Sequence, residues 1–232
     1  MKILAVDCSA GPASAAIFED DVVLAFSYCN IKLTHSETLL PMIKNTLESA
    51  LLTLEDIDVF AVNNGPGSFT GIRIGISAIK GLSLAKDKPC IAVSTLESIA
   101  YLFKNFEGVI SSVMDARLNQ VYNALFLVEN GKVTRLTKDR AISVAKLQEE
   151  LKAIDKNIII AGDGTFLFED FAKSFDHIKT AFEPNRFQNA VGTANAADIK
   201  LKNGETLTSN ELSPLYLRLP QAERELKSRK EN

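Results

Sequence analysis

Histidine occurs only twice in the 232 residues, as His35 and His177, and cysteine three times, as Cys8, Cys29 and Cys90. Three dispersed cysteines argue against a disulfide framework and fit reduced packing residues. Four positions after His35 stands Leu39, so a helical His-x-x-x-His pair lacks its second ligand and no metal site is expected. There is no Gly-x-Ser-x-Gly elbow, and neither histidine accompanies a reactive-looking cysteine, which leaves nucleophilic hydrolysis without a candidate. No run approaches the roughly 18 uninterrupted apolar residues of a membrane span. The opening Met1 to Asp7 has one basic residue and an apolar run too short for a secretory signal, so a cytoplasmic location is expected. A net charge of −3 provides no basic surface for this chain alone to hold nucleic acid by phosphate neutralisation.

The chain does have apolar mass: 46% hydrophobic against 24% charged residues, enough for a large core shared by two intimate subdomains. Its organising stretch runs from Asn63 to Gly75. The apolar run Ile57 to Val62 leads into a glycine-rich turn and then into helical periodicity from Ile72 to Ala85, which reads as strand, turn and helix. Gly65 and Gly67 would let the backbone approach a phosphate, and the helix start would supply unpaired amides. Both common nucleotide fingerprints fail, because Gly71 is followed by Ile72-Arg73 and Thr70 stands at the third glycine position of the dinucleotide pattern. A purely structural turn is therefore an open alternative.

The chain also repeats itself. Ile3 to Val6 ends at Asp7, followed by Ala15 to Phe18, an acidic turn and Val22 to Phe26; Val109 to Met114 ends at Asp115, followed by Val121 to Val128, Glu129-Asn130-Gly131 and Val133 to Leu136. Each half continues with a helix (Ser36 to Leu51; Val144 to Ile154), a strand (Ile57 to Val62; Ile158 to Ala161) and a glycine turn, the second being Gly162-Asp163-Gly164. A duplicated β-β-β-α-β-α unit is expected, in an α/β chain of two mixed-sheet subdomains flanked by helices and divided as 1–106 and 107–232. Strand carboxyl ends in such folds face ligands, so Asp7, Asp115 and Asp163 are expected to meet in a cleft. Two readings follow: a small-molecule kinase or ATPase using those aspartates, or ordinary loop capping. Ala190 to Leu201 reads as a further helix, Gly204 to Ser213 as a polar loop, and Gln221 to Lys230 as a polar, helix-compatible tail.

On the helix after the glycine turn, Gly71, Gly75, Ala78, Leu82 and Ala85 form one small-residue stripe, and Ile72, Ile76 and Ile79 form the next. With Ile74 and Gly81 the apolar or small arc exceeds 180°, where one sheet needs only about 100°. The surplus face meets either another helix of the chain or a partner.

Gly65-Pro66-Gly67-Ser68-Phe69-Thr70-Gly71-Ile72-Arg73-Ile74-Gly75 resembles the signature of the TsaB (YeaZ-type) family. So do Ile3 to Asp7, His35-Ser36-Glu37-x-Leu39-Leu40-Pro41, Met114-Asp115-Ala116-Arg117 with Val121-Tyr122, and Pro214-x-Tyr216-Leu217-Arg218. The resemblance implies the duplicated fold of sugar kinases, heat-shock ATPases and actin (ASKHA). It implies a chain not catalytic alone, which pairs with the paralogue TsaD and the ATPase TsaE to transfer a threonylcarbamoyl group to the tRNA adenosine beside the anticodon. It further implies a homodimer in TsaD's absence, no cofactor of the chain's own, and ATP or ADP only at the level of the complex. The implied partner surface is the first two helices of the N-terminal half, represented by His35, Glu37, Leu39, Leu40, Ile43 and Leu47 on the first and by Gly71, Ile72, Arg73, Gly75, Ile76, Ala78, Ile79 and Leu82 on the second. A cofactor, if held, would involve Asp7, Gly65, Gly67, Asp115, Gly162 and Asp163.

Overall fold

The computed structural model describes residues 1–31, 33–182 and 185–218; the expected tail helix at Gln221 to Lys230 lies outside them. Alternation of short apolar runs with tight turns produces an antiparallel meander of β1 (Lys2–Asp7), β2 (Ala13–Glu19) and β3 (Val22–Cys29). Asp20 and Asp21 make the two-residue turn between β2 and β3 with φ of 49° and 66°, the left-handed conformation that such hairpins demand. There follow α1 (His35–Ser49), β4 (Val59–Gly65), α2 (Phe69–Lys86), β5 (Cys90–Ser94) and α3 (Thr95–Tyr101).

The second half runs β6 (Gly108–Asp115), β7 (Gln120–Glu129), β8 (Lys132–Arg135), β9 (Arg140–Ser143), α4 (Val144–Lys152), β10 (Ile158–Ala161), α5 (Glu169–Lys173), β11 (Ile178–Thr180) and α6 (Ala190–Lys202). The sheets are ordered β3-β2-β1-β4-β5 and β8-β7-β6-β10-β11, so the halves correspond strand for strand, with β9 added against β7. The repeat thus extends one strand further than the sequence suggests. β9, β11 and α5 have no counterpart in the sequence reading because, unlike β8 after its Asn130-Gly131 turn and the all-apolar β10, these segments of three to five residues carry neither a turn signal nor an unbroken apolar run.

β1 is buried on both faces, which explains its unbroken apolar run. On one face Leu4, Val6 and Ile17 pack with Leu39, Ile43 and Leu47 of α1 and Ile72, Ile76 and Ile79 of α2. On the other, Ile3, Ala5 and Phe18 pack with Ala190, Ala194 and Ala197 of α6. A boundary at 106/107 assigns α6 to the second half, yet its small side chains bring it onto the first sheet. Gly192 lies against the Ser98 carbonyl of α3, where a Cβ would come within the 3.0 Å that real Cβ atoms avoid. The expected polar loop at 204–213 is also tied in, since Cys90 and Leu207 exchange backbone hydrogen bonds of 2.7 and 2.8 Å and Leu212 is fully buried. Among the described residues no helix is long and apolar enough to cross a membrane.

Candidate functional site

Two concavities meet at the start of α2. The first is an open groove of about 540 Å³ between α1 and α2, lined by His35, Ser36, Leu39, Leu40, Phe69, Thr70, Arg73, Ile74, Ser77 and Ala78. α1 begins at a fixed point because the Glu37 carboxylate accepts from the Thr34 backbone N–H (3.1 Å) and from its hydroxyl (2.7 Å), reciprocating across the first turn. Those bonds hold the Glu37 carboxyl below the usual range. His35 Nε2 lies 2.8 Å from the Ala10 carbonyl oxygen, which engages that ring nitrogen.

The expected partner residues divide sharply. Leu39, Ile43, Leu47, Ile72, Ile76 and Ile79 are at most 7% exposed and belong to the chain's own core. Gly71 and Gly75 face inward too: a Cβ on Gly71 would overlap the Cys8 carbonyl oxygen, and one on Gly75 would stand 3.3 Å from Val62. This corrects the small-residue stripe, whose glycines seat α2 on its own sheet and on the β1–β2 loop. Leu39 reaches the groove only as its floor. Leu40 is 55% exposed, Arg73 is exposed and Ala78 half-buried at the groove, while Glu37 is exposed and Leu82 half-buried outside it.

Arg73, exposed on α2, is nevertheless stacked. Its guanidinium lies 3.8 Å from the Phe69 ring centroid, and its Nε donates to the Tyr216 hydroxyl at 2.8 Å. Phe69 and Tyr216 are themselves stacked, with centroids 4.5 Å apart and planes at 24°. Phe69, Ser36, Ser77 and Tyr216 are site residues that sequence reasoning missed. Phe69 and Tyr216 stand in the motifs quoted above, but nothing in either segment shows that they touch.

The second concavity is a cleft of about 520 Å³ between the two sheets, lined among others by Ser9, Gly67, Ser68, Asp115, Arg117, Tyr122, Asp163, Tyr216 and Arg218. Ser68 caps α2 there by accepting from the Gly71 N–H at 3.2 Å. Asp115 accepts from the Arg117 N–H at 2.8 Å and pairs with its guanidinium at 3.0 Å. Asp163 accepts from the Asp115 N–H at 3.3 Å. Burial pushes the Asp163 carboxyl up to about 7, partly offset by that hydrogen bond and reinforced by the charges of Asp115 and Asp7.

Asp7 does not join them in the lining. It is 1% exposed and accepts from the Ser9 N–H and the Asn63 amide, each at 3.0 Å, with burial as the main force holding its carboxyl above the usual range. The glycines expected to admit phosphate approach backbone instead. Gly65 faces the Leu215 carbonyl, Gly67 the Ser9 carbonyl and Gly162 the Val113 carbonyl. Residues 215–218 line the cleft and touch both halves: Leu215 N–H donates to Asn64 O at 2.7 Å, and Arg218 donates to Ala116 O at 3.3 Å and to the Gln120 side chain. The arrangement ties both halves to one C-terminal segment and uses two of its three aspartates as loop caps.

The description TsaD, tRNA N6-adenosine threonylcarbamoyltransferase, matches residues 31–225. The chain is 33% identical over 227 residues to the tRNA threonylcarbamoyladenosine biosynthesis protein TsaB of Bacillus subtilis, covering 96% of each chain. In fold it is similar to an uncharacterised Pseudomonas aeruginosa protein described as resembling the peptidase YeaZ, with a TM-score of 0.79 at 24% identity over 94% of this chain and 99% of that one. Component A of (R)-2-hydroxyglutaryl-CoA dehydratase from Acidaminococcus fermentans is a more distant match, with a TM-score of 0.52 at 13% identity over 85% and 99% of the two chains. With its strand-for-strand repeat the architecture is the duplicated ASKHA fold. The chain belongs to the TsaD family and, within it, to the TsaB proteins.

Proposed function

We propose that this chain is the non-catalytic, activating subunit of a tRNA threonylcarbamoyladenosine machinery, docking on TsaD through the groove between α1 and α2. The observation that carries the reading is the groove itself. It exposes Leu40 at 55% beside Ile74 and Ala78, on helices whose opposite faces are already used by the core. Leu39 stands where a metal-binding paralogue needs its second histidine, and His35 is engaged by Ala10, so the chain's contribution is a surface. TsaE joins the TsaD-bound form, ATP or ADP acts at that level, and tRNA is met through the assembly in the cytoplasm. Without TsaD the same groove pairs two copies of the chain.

The test uses two groove substitutions, Leu40→Asp at an exposed position and Ala78→Arg at a half-buried one. Each should weaken co-purification with TsaD by roughly tenfold or more, the scale of a lost interface anchor. The threonylcarbamoyladenosine content of tRNA, measured by mass spectrometry of digested tRNA, should fall with it while the circular-dichroism spectrum of the chain stays that of the folded wild type. Undiminished TsaD binding by both variants would show that the partner sits elsewhere.

A further inference from the structure

A third cavity, of about 370 Å³, opens at the β10–β11 edge of the second sheet and shares no lining residue with the groove or the cleft. Alternation decides its floor. Ile158 and Ile160 turn into the core beneath α4 and α5, so Asn157 and Ile159 point the other way. The parallel register of Ile158 with Ile178 and Ile159 with Lys179 sets His177 and Lys179 beside them on that face. Phe103 and Phe106, from the link between α3 and β6, form the apolar wall.

We propose that this cavity receives a nucleobase. Its volume lies in the range of small-molecule sites, about 300–1,000 Å³, and its mixture of flat apolar wall and a few polar groups is what such sites use. An ion is disfavoured because Lys179 and Asp176 bring opposite charges to the rim. A purely aliphatic occupant would cover the exposed Asn157 amide without offering it a hydrogen bond. A neutral, planar heterocycle with donors and acceptors on its edge satisfies both requirements, stacking on phenylalanine while its edge meets the Asn157 amide and the Lys179 ammonium. Free nucleosides and unpaired RNA bases share that chemistry. The assignment stands apart from TsaD docking, since it uses no residue of α1 or α2.

Saturation-transfer NMR of the full chain with each of the four ribonucleosides, and with a short unpaired oligoribonucleotide, tests it. The variants are Phe106→Leu, which keeps apolar bulk but removes the ring plane, and Asn157→Ala at an exposed position. Saturation should reach the base protons, and Phe106→Leu should weaken binding about fivefold or more, the lower bound for one base stack. Asn157→Ala should weaken it with an unchanged melting curve. Binding of free nucleosides, so weakened, identifies a nucleoside or nucleotide ligand; binding of the oligonucleotide alone, weakened by the same changes, identifies an RNA base. Binding of neither, or binding indifferent to both substitutions, overturns the assignment.

Discussion

Two glycines of α2 should respond to alanine with opposite signs. At Gly71 the added methyl group would overlap the Cys8 carbonyl oxygen and stand 3.0 Å from His35 Cδ2. The Cys8 backbone cannot retreat freely, because Ser68 N–H donates to the next carbonyl, that of Ser9, at 2.7 Å. Overpacking of this kind costs about 1–3 kcal/mol, and a rigid backbone obstacle places it at the upper end. Helix propensity returns at most about 1 kcal/mol, so a net loss of about 2 kcal/mol is expected. At Gly81 nothing lies within 4 Å of an added Cβ. Alanine there should stabilise by about 0.5–1 kcal/mol through lower backbone entropy in the unfolded chain. For a chain of this size 1 kcal/mol shifts Tm by about 2–4 °C, so Gly71→Ala should melt about 4–8 °C lower and Gly81→Ala about 1–4 °C higher. Thermal denaturation of the isolated chain by circular dichroism is the assay. If Gly71 served partner docking alone, the chain diluted to its monomer would not notice the change; a wild-type or higher melting temperature for Gly71→Ala under that dilution would refute the self-packing argument.

Asp163→Asn should stabilise the protein more at pH 8 than at pH 4. The carboxyl is raised to about 7 in the fold, so stability falls as pH climbs from the ordinary aspartate value toward 7 and the full penalty applies above it. A rise from 3.8 to about 7 corresponds to about 4 kcal/mol, and the amide escapes it; equal gains at both pH values would disprove the linkage. Tyr216→Phe removes only the hydrogen bond from Arg73, worth about 0.5–1.5 kcal/mol, whereas Tyr216→Ala also loses the ring stack, about 0.5–1.5 kcal/mol beyond area burial. Urea denaturation of both variants, each with and without Arg73→Ala, should give a coupling energy between residues 73 and 216; zero coupling would mean that the Arg73–Tyr216 hydrogen bond contributes nothing.

The repeat was legible because its markers are local: an apolar run closing on Asp7 or Asp115, a two-residue turn with left-handed residues, and a helix with regular apolar spacing. What stayed hidden depends on residues far apart. No pattern in Ala190 to Lys202 tells which sheet its alanines will cover, and it covers the one built from residues before 95. Likewise a wheel of α2 displays an apolar arc but not its division. Ile72, Ile76 and Ile79 vanish into the core, Ile74 and Ala78 remain half-covered at the groove, and Leu84 stands 71% exposed. Small residues at helical spacing look alike whether they admit a sheet or a second helix, which is why Gly71 and Gly75 pointed to a partner in the sequence and to Cys8 and Val62 in the fold.

The start of α2 explains why one loop serves two concavities. Ser68 and Phe69 face the cleft, and Phe69 with Arg73 also faces the groove, so the Phe69 ring is a wall common to both. That wall is held from behind by Tyr216, in a segment anchored to the first subdomain through Asn64 and to the second through Ala116 and Gln120. Four glycines at 65, 67, 71 and 75 let backbone and helix crowd this junction without side-chain obstruction. The motif with the look of a phosphate cradle is thus built to place an aromatic ring and an arginine.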